Sequence, residues 1–232
     1  MNFPYLPNSA IDTEAERLRV QALGSKAPDI PVDLDAIVFD HLCEKDELVI
    51  DDETELADED GEEVLGKTFI RSHRIVINRR LKQSPDIGRY RFTLAHEIGH
   101  WQLHRPIVLA AAEQGGLFGD ENDDVITTLN RSVVGPNPPR QEVQANRFAA
   151  TLLIDREGLG REFLARFGPG ELSAILTAGP RRTIRERGRF VAAHVARGLP
   201  SLASRFRVSI EAMAIALETR GYLEDSPSLF PR

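Results

Sequence analysis

Two histidines stand four residues apart near the middle of the chain, and a glutamate directly follows the first of them. They are His96, Glu97 and His100. On an α-helix, residues four apart lie one turn apart on the same face, so both imidazoles can reach one metal ion. Glu97 would then lie close enough to deprotonate a water molecule beside the metal without being a ligand itself. The pattern predicts a hydrolytic metal site in which Glu97 is the general base.

The residues around this pattern strengthen the prediction, because three fixed positions alone can also match by chance. Leu94, Ile98 and Trp101 form an apolar stripe at helical spacing that leaves the histidines on another face. Ala95 and Gly99 are small and would let a second element approach closely. We therefore predict a helix with one face in the core and another face at the site.

A catalytic zinc ion needs a third protein ligand and an open position. A longer histidine pattern would supply that ligand from the same segment, but it requires Gly at 103 and His at 106. The chain has Leu103 and Pro106 there, which excludes that class. His104 lies two turns from His96, too far along the helix to share an ion with both histidines. We expect His104 to support a ligand by a hydrogen bond or by packing behind it.

A glutamate from a separate helix is the favoured third ligand. Glu142 opens a predicted helix, and Asn146 follows one turn later on the same face, where it could accept the outer N–H of a ligating imidazole. Glu142 could instead be a favourable acid in a helix's first turn. Acidic residues of the preceding loop are further alternatives, although they lack a rigid support: Glu113, Asp120, Glu121, Asp123 and Asp124.

The elements that must position these side chains follow from the periodicity of the sequence. Helices are predicted at residues 12–23, 32–42, 89–104 and 141–154, and short strands at 48–50, 67–72 and 74–78. Residues 107–140 are predicted to be a long loop, and the acidic run at 51–63 a solvated loop or hairpin. A sheet edge within 67–78 could pair with an extended substrate.

Residues 199–223 show the sequence pattern of a helix-turn-helix: a short helix, a turn at residues 207–209 and a second helix. A DNA-reading helix would begin with Arg, Lys, Asn or Gln, whereas this one begins with Ile210, Glu211 and Ala212. We expect it to pack or to dock a partner. Residues 181–197 are basic and amphipathic, for which a solvated helical face is the default, and direct DNA binding is left open.

Length and composition limit the class of protein. The chain of 232 residues has room for a domain at 1–160 and a smaller helical domain at 161–232. Its net charge of −7 argues against a general nucleic-acid or anionic-membrane surface. Cys43 is the single cysteine, so no internal disulfide or cysteine-based zinc site is expected. Without an apolar run of membrane-spanning length or a signal-peptide core, the expected location is cytoplasmic.

Two separated motifs resemble the ImmA/IrrE metallo-endopeptidases. Residues 91–104 (RFTLAHEIGHWQLH) look like the signature of that family, and residues 142–153 (EVQANRFAATLL) look like its second motif. Residues 31–34 and 75–78 resemble its upstream elements in the right order. The first 30 residues are too few for the N-terminal DNA-binding domain that some relatives carry, so a repressor would be a separate protein.

The resemblance implies an α+β fold, with a zincin-like core in which a small antiparallel or mixed sheet packs on two site helices, followed by a helical C-terminal segment. It implies His96, His100 and Glu142 as metal ligands and Glu97 as the base. Zinc is the expected cofactor, and Mn²⁺ and Fe²⁺ are alternatives. The implied partner is a protein substrate, an Xre-type helix-turn-helix repressor, whose site-specific cleavage would relieve transcriptional repression in stress or mobile-element circuits. The alternative function is a non-proteolytic metal-binding regulator that binds a repressor or DNA through its C-terminal helices.

Overall fold

The computed structural model describes residues 3–24, 29–59, 61–113, 125–130, 138–168 and 183–223. These residues fall into two compact units. The first unit comprises the described parts of Met1–Pro28 and Asp33–Leu153, and the second those of Asp29–Val32 and Ile154–Arg232. The predicted domain division at residue 160 stays a prediction. Within the described ranges, no helix has the length and apolar character needed to cross a membrane.

The first unit contains both helices and strands. In chain order it has α1 (Asn8–Leu23), a π-helical segment (Ala36–Cys43), α2 (Glu44–Asp46), β1 (Val49–Asp51), β2 (Val64–Phe69), β3 (Arg74–Ile77), α3 (Arg79–Lys82), α4 (Ile87–Leu103), α5 (Arg105–Glu113), β4 (Val125–Asn130) and α6 (Arg140–Leu153). The second unit has α7 (Arg156–Arg166), α8 (Ile184–Ala193), α9 (Leu202–Phe206) and α10 (Ile210–Thr219). The predicted α+β class is confirmed.

The four strands form one mixed sheet in the order β1-β3-β2-β4. β1 runs parallel to β3, whereas β2 runs antiparallel to both of its neighbours. The second strand begins three residues earlier than predicted, and it also ends three residues earlier because residues 70–73 form the turn into β3. The expected sheet edge within 67–78 is wrong, since β2 and β3 are the inner strands and both of their sides are occupied.

Helices α4 and α6 pack closely, and a glycine makes this possible. A Cβ atom on Gly99 would lie only 3.2 Å from the Cα and the carbonyl oxygen of Ala145. A larger residue at position 99 would therefore push the two helices apart. On the core side of α4, Leu94, Ile98 and Trp101 are buried as predicted. The prediction that small residues let a second element approach is confirmed for Gly99.

The chain around α4 and α5 differs from the sequence-based expectation. The side chain of Asp86 accepts a hydrogen bond from the backbone N–H of Gly88 and so caps the start of α4. Helix α5 begins directly after His104, at Arg105. Pro106 does not interrupt it, because a proline in the first turn of a helix removes no intrahelical hydrogen bond. With α5 and β4 present, the predicted long loop over 107–140 is wrong in part.

The acidic run at 51–63 lies against the basic helix α3. Glu55 pairs with Arg79 and Arg80, and Asp52 pairs with Lys82. The backbones of Glu59 and Glu62 bond to each other, in agreement with the predicted loop or hairpin. Each exposed pair contributes little stability by itself, but together they neutralise much of the run's charge. The ion pairs with α3 therefore account for the acidic residues at 51–63 without a substrate-binding role.

The second unit contains the predicted helix-turn-helix rhythm. Helices α9 and α10 flank the turn at 207–209, where Arg207 adopts a left-handed φ of 51° and Ser209 caps α10. Glu211, in the first turn of α10, pairs with both Arg185 and Arg189 of α8. The start of α10 and the basic face of α8 thus engage each other, as expected for packing elements. Residues 181–182 lie outside the described part.

Candidate metal centre

The two site helices bring together the four residues predicted to act at the metal. α4 carries His96, Glu97 and His100, α6 carries Glu142, and all four side chains are buried. The Nε2 atoms of His96 and His100 lie 2.9 Å apart, and they lie 3.1 and 3.5 Å from the two carboxylate oxygens of Glu142. Within the described part of the chain, this is the one cluster of His, Cys, Asp or Glu with suitable spacing for a metal ion.

The spacing of this cluster fits a tetrahedral zinc ion. Zinc bonds to histidine nitrogen and carboxylate oxygen are about 2.0–2.2 Å long, so two ligands of one ion lie about 3.3 Å apart. The three observed separations lie on either side of that value. Two imidazoles and one carboxylate also form a common ligand set of catalytic zinc. The cluster could therefore bind a metal ion.

Hydrogen bonds behind the two histidines fix which ring nitrogen faces the cluster. His96 Nδ1 donates to Asn146 Oδ1 at 3.0 Å, because an amide oxygen can only accept. His104 Nε2 donates to Gln144 Oε1 at 2.9 Å, so the other nitrogen of a neutral His104 accepts the Nδ1–H of His100, also at 2.9 Å. Burial lowers the pKa of His104 and keeps it neutral. Both His96 and His100 thus turn Nε2 toward Glu142.

The electrostatics of the cluster favour a positive charge at its centre. Burial lowers the pKa of His100 to about 3, so this imidazole is neutral. Burial also opposes ionisation of Glu142, but the polar contacts of its oxygens with the Nε2 atoms of His100 and His96 outweigh burial and lower the pKa of Glu142 to about 2. At His96, burial opposes protonation, yet Glu142 and Glu97 raise the pKa. An ionised carboxylate that faces imidazole lone pairs needs a cation between them, and either a proton or a metal ion can supply that charge.

Glu97 lies beside the cluster without belonging to the ligand set. The hydroxyl of Thr68 donates a 2.6 Å hydrogen bond to its Oε2 atom, whereas Oε1 has no hydrogen-bond partner within the described part of the chain. Burial raises the pKa of Glu97 to about 7, although the charge of His96 and the Thr68 hydroxyl act in the opposite direction. A carboxylate with a pKa near neutrality is well suited to accept and return a proton.

The model of one protein family matches most of the chain. It describes the IrrE N-terminal-like domain, Peptidase_M78, and it matches residues 53–218. The chain belongs to this family. The resemblance drawn from residues 91–104 and 142–153 is therefore confirmed. No curated protein matches the sequence. As a member of the IrrE N-terminal-like family, the chain is a metal-dependent peptidase, and the buried cluster of His96, His100 and Glu142 is where its metal could bind.

Two polar residues of this IrrE N-terminal-like site were missed by the sequence interpretation. Thr68 lies on the buried side of β2, and the alternation of that strand was the available signal. Gln144 lies two residues after Glu142, a spacing that places the two on different helix faces, and so nothing local pointed to it. Of the rival acids, Asp120, Glu121, Asp123 and Asp124 lie outside the described residues, and the side chain of Glu113 is not described.

Replacement of His104 by phenylalanine is expected to lower the metal affinity of the cluster by about 10–100-fold, the usual effect of losing a partner behind a ligand. Phenylalanine preserves the ring packing against Phe3, whose centroid lies 4.9 Å from that of His104, but it cannot accept the Nδ1–H of His100. Competition with a chromophoric chelator measures the affinity. The matched control is His194→Phe, because His194 packs beside Phe167 and Phe190 in the second unit. Equal affinities in the two variants would contradict the role of His104.

Proposed function

We propose that the chain is a zinc metallo-endopeptidase that cleaves an Xre-type helix-turn-helix repressor and so relieves transcriptional repression under stress. His96, His100 and Glu142 hold the ion, Asn146 and His104 orient the two imidazoles, and Glu97 is the general base. One observation carries this proposal. The side chains of His96, His100 and Glu142 converge beside the buried carboxylate of Glu97, whose Oε1 atom has no hydrogen-bond partner within the described residues.

The chemistry follows from the roles of these groups. A zinc ion held by His96, His100 and Glu142 would polarise the scissile carbonyl and lower the pKa of a water molecule. Glu97 Oε1 accepts a proton from that water as its oxygen attacks the carbonyl carbon. Glu97 then returns the proton to the amine nitrogen as the C–N bond breaks, and the carboxylate ends in its starting state. Burial supports both transfers, because it opposes ionisation of Glu97 and so makes its carboxylate a stronger proton acceptor than an exposed one.

Zinc is proposed because of the donor set. Two neutral imidazoles and one carboxylate leave one position open for water or substrate, as catalytic zinc sites do. The same donors also accept Mn²⁺ or Fe²⁺, and geometry and metal availability decide among them. Elemental analysis of protein purified without added metal, followed by reconstitution with each ion in turn, identifies the ion that supports cleavage.

The repressor substrate is proposed from the resemblance of the two motifs to the ImmA/IrrE proteins. Of the two roles considered for the second unit, docking of the protein substrate is proposed in preference to DNA binding, because Glu211 occupies the start of α10 and pairs with the arginines of α8. An acidic residue at that position would repel DNA phosphates, and it engages two arginines that could otherwise contact them. Direct DNA binding is therefore not part of the proposal.

The test uses the purified chain and the Xre-type repressor encoded nearest to its gene. Incubation with zinc is expected to produce one specific pair of repressor fragments, with masses that identify a single bond. The same protein dialysed against a chelator should leave the repressor intact, and added zinc should restore cleavage. A stable complex containing only intact repressor would instead favour the non-proteolytic regulator.

A further inference from the structure

Strand β2 forms one wall of the space that holds Glu97. Its buried positions alternate with partly exposed ones, which places Gly66 and Thr68 on the side that faces α4. Thr68 is itself fully buried, and its hydroxyl lies 2.6 Å from Glu97 Oε2 and 3.3 Å from the backbone oxygen of Glu97. A carboxylate oxygen accepts, so the hydroxyl donates its proton to Oε2.

Gly66 contributes to the same wall by having no side chain. A Cβ atom at this position would lie 2.8 Å from Glu97 Oε1 and 3.1 Å from the Cγ2 atom of Thr93. Real Cβ atoms do not approach oxygen so closely, so any larger residue would displace the Glu97 carboxylate. Residues 66 and 68 thus act on different oxygens of the Glu97 carboxylate. Thr68 engages Oε2, and Gly66 leaves room beside Oε1.

We propose that Thr68 and Gly66 are positioning residues for the general base: the Thr68 hydroxyl holds the Glu97 carboxylate by Oε2, and the missing side chain at 66 keeps Oε1 clear for proton transfer. This inference rests on the proposed peptidase function. Catalytic groups must be held within about 0.5 Å of their productive position. A Glu side chain has several rotatable bonds, and burial alone does not choose among its conformers. The hydroxyl of Thr68, on the inner strand β2, selects one conformer by its hydrogen bond to Oε2.

Thr68→Val is the central variant, because valine has nearly the same shape but no hydroxyl. We expect kcat for repressor cleavage to fall about 10–100-fold, with KM and zinc content unchanged. Thr68→Ser restores the hydroxyl and should keep kcat within a few-fold of the original. The matched control is Thr151→Val, since the Thr151 hydroxyl likewise donates to a carboxylate, that of Asp12, in the same unit. That control should retain the original kcat.

Gly66→Ala tests whether the missing side chain at position 66 matters, and it removes no hydrogen-bonding group. The added methyl group should displace Oε1 and lower kcat to a similar extent, again with zinc bound. A Gly66→Ala variant with the original kcat would overturn the assignment of Gly66. A Thr68→Val variant with the original kcat would overturn that of Thr68, and so would a Thr68→Ser variant as slow as Thr68→Val, because the hydroxyl would then not be what matters.

A structural readout keeps this inference separate from the proposed function. Crystal structures of the zinc-loaded original, Thr68→Val and Thr68→Ser proteins should show the Glu97 carboxylate displaced or in several conformers in the valine variant alone. An identical carboxylate position in all three overturns the inference, even if every protein cleaves the repressor. If the original protein cleaves nothing, the proposed function fails, and the carboxylate positions still decide whether Thr68 holds Glu97.

Discussion

Glu97→Gln is expected to bind zinc as the original protein does and to cleave the repressor about 10²- to 10⁴-fold more slowly, the usual contribution of a general base. Glutamine has the shape of glutamate, and its amide oxygen can still accept the hydrogen bond from Thr68. Its amide nitrogen cannot accept a proton. The substitution therefore removes proton transfer while it leaves His96, His100 and Glu142 in place.

The measurement compares kcat and zinc stoichiometry in the same preparations. A loss of zinc together with activity would mean that Glu97 supports the ligand set, rather than acting as a base. Full cleavage by a zinc-loaded Glu97→Gln protein would exclude the proposed mechanism. Glu157→Gln is the control for a Glu-to-Gln change, because Glu157 is exposed in the first turn of α7 and lies in the second unit.

Glu142→Gln is expected to lower zinc affinity by more than about 100-fold, because even the loss of a group behind a ligand costs 10–100-fold. The carboxylate supplies the single negative charge of the ligand set and lies within 3.5 Å of both Nε2 atoms. Zinc should raise the melting temperature of the original protein, since an ion that binds only the folded state stabilises it. The variant should show no such rise at the same zinc concentration.

Isothermal titration with zinc, with melting curves in parallel, tests this expectation. Glu142 also stands in the first turn of α6, where an acid stabilises the helix without any metal. Glu157→Gln removes an acid from the first turn of α7, so it should lower stability slightly and leave the zinc effect unchanged. Unchanged zinc affinity in Glu142→Gln would assign the third ligand to another acid, and the residues at 120–124 would be tested next.

Most of helix α4 and its ligands could be predicted from local sequence. The i, i+4 spacing of His96 and His100, the apolar stripe and the small Gly99 are all properties of one continuous helix. Helix geometry converts such spacing directly into position, because each residue advances the helix by a fixed rise and rotation. Glu142 and Asn146 could be paired in the same way, since they lie one turn apart on α6.

The sheet and the hydrogen bonds behind the ligands could not be predicted in this way. The inner position of β3 depends on pairing with β1, and that of β2 on pairing with β4, a strand that begins more than fifty residues after β2 ends. The donation from His104 to Gln144 joins residues 40 positions apart, and that from Thr68 to Glu97 joins residues 29 apart. Strand register and helix packing set those distances, and neither leaves a periodic signal in a single segment.

The sequence alone thus predicted the His96–His100 pair, Glu97 as the proposed base beside it, Glu142 as the favoured third ligand and the α+β class. Those features depend on local helix geometry and on motifs that the family shares. Only the tertiary structure decided which imidazole nitrogen faces the cluster, which oxygen of Glu97 lacks a partner, and that strand β2 is the wall against which Glu97 rests. The physical reason is that a hydrogen bond requires placement within a few tenths of an ångström, which only the packing of separate elements provides.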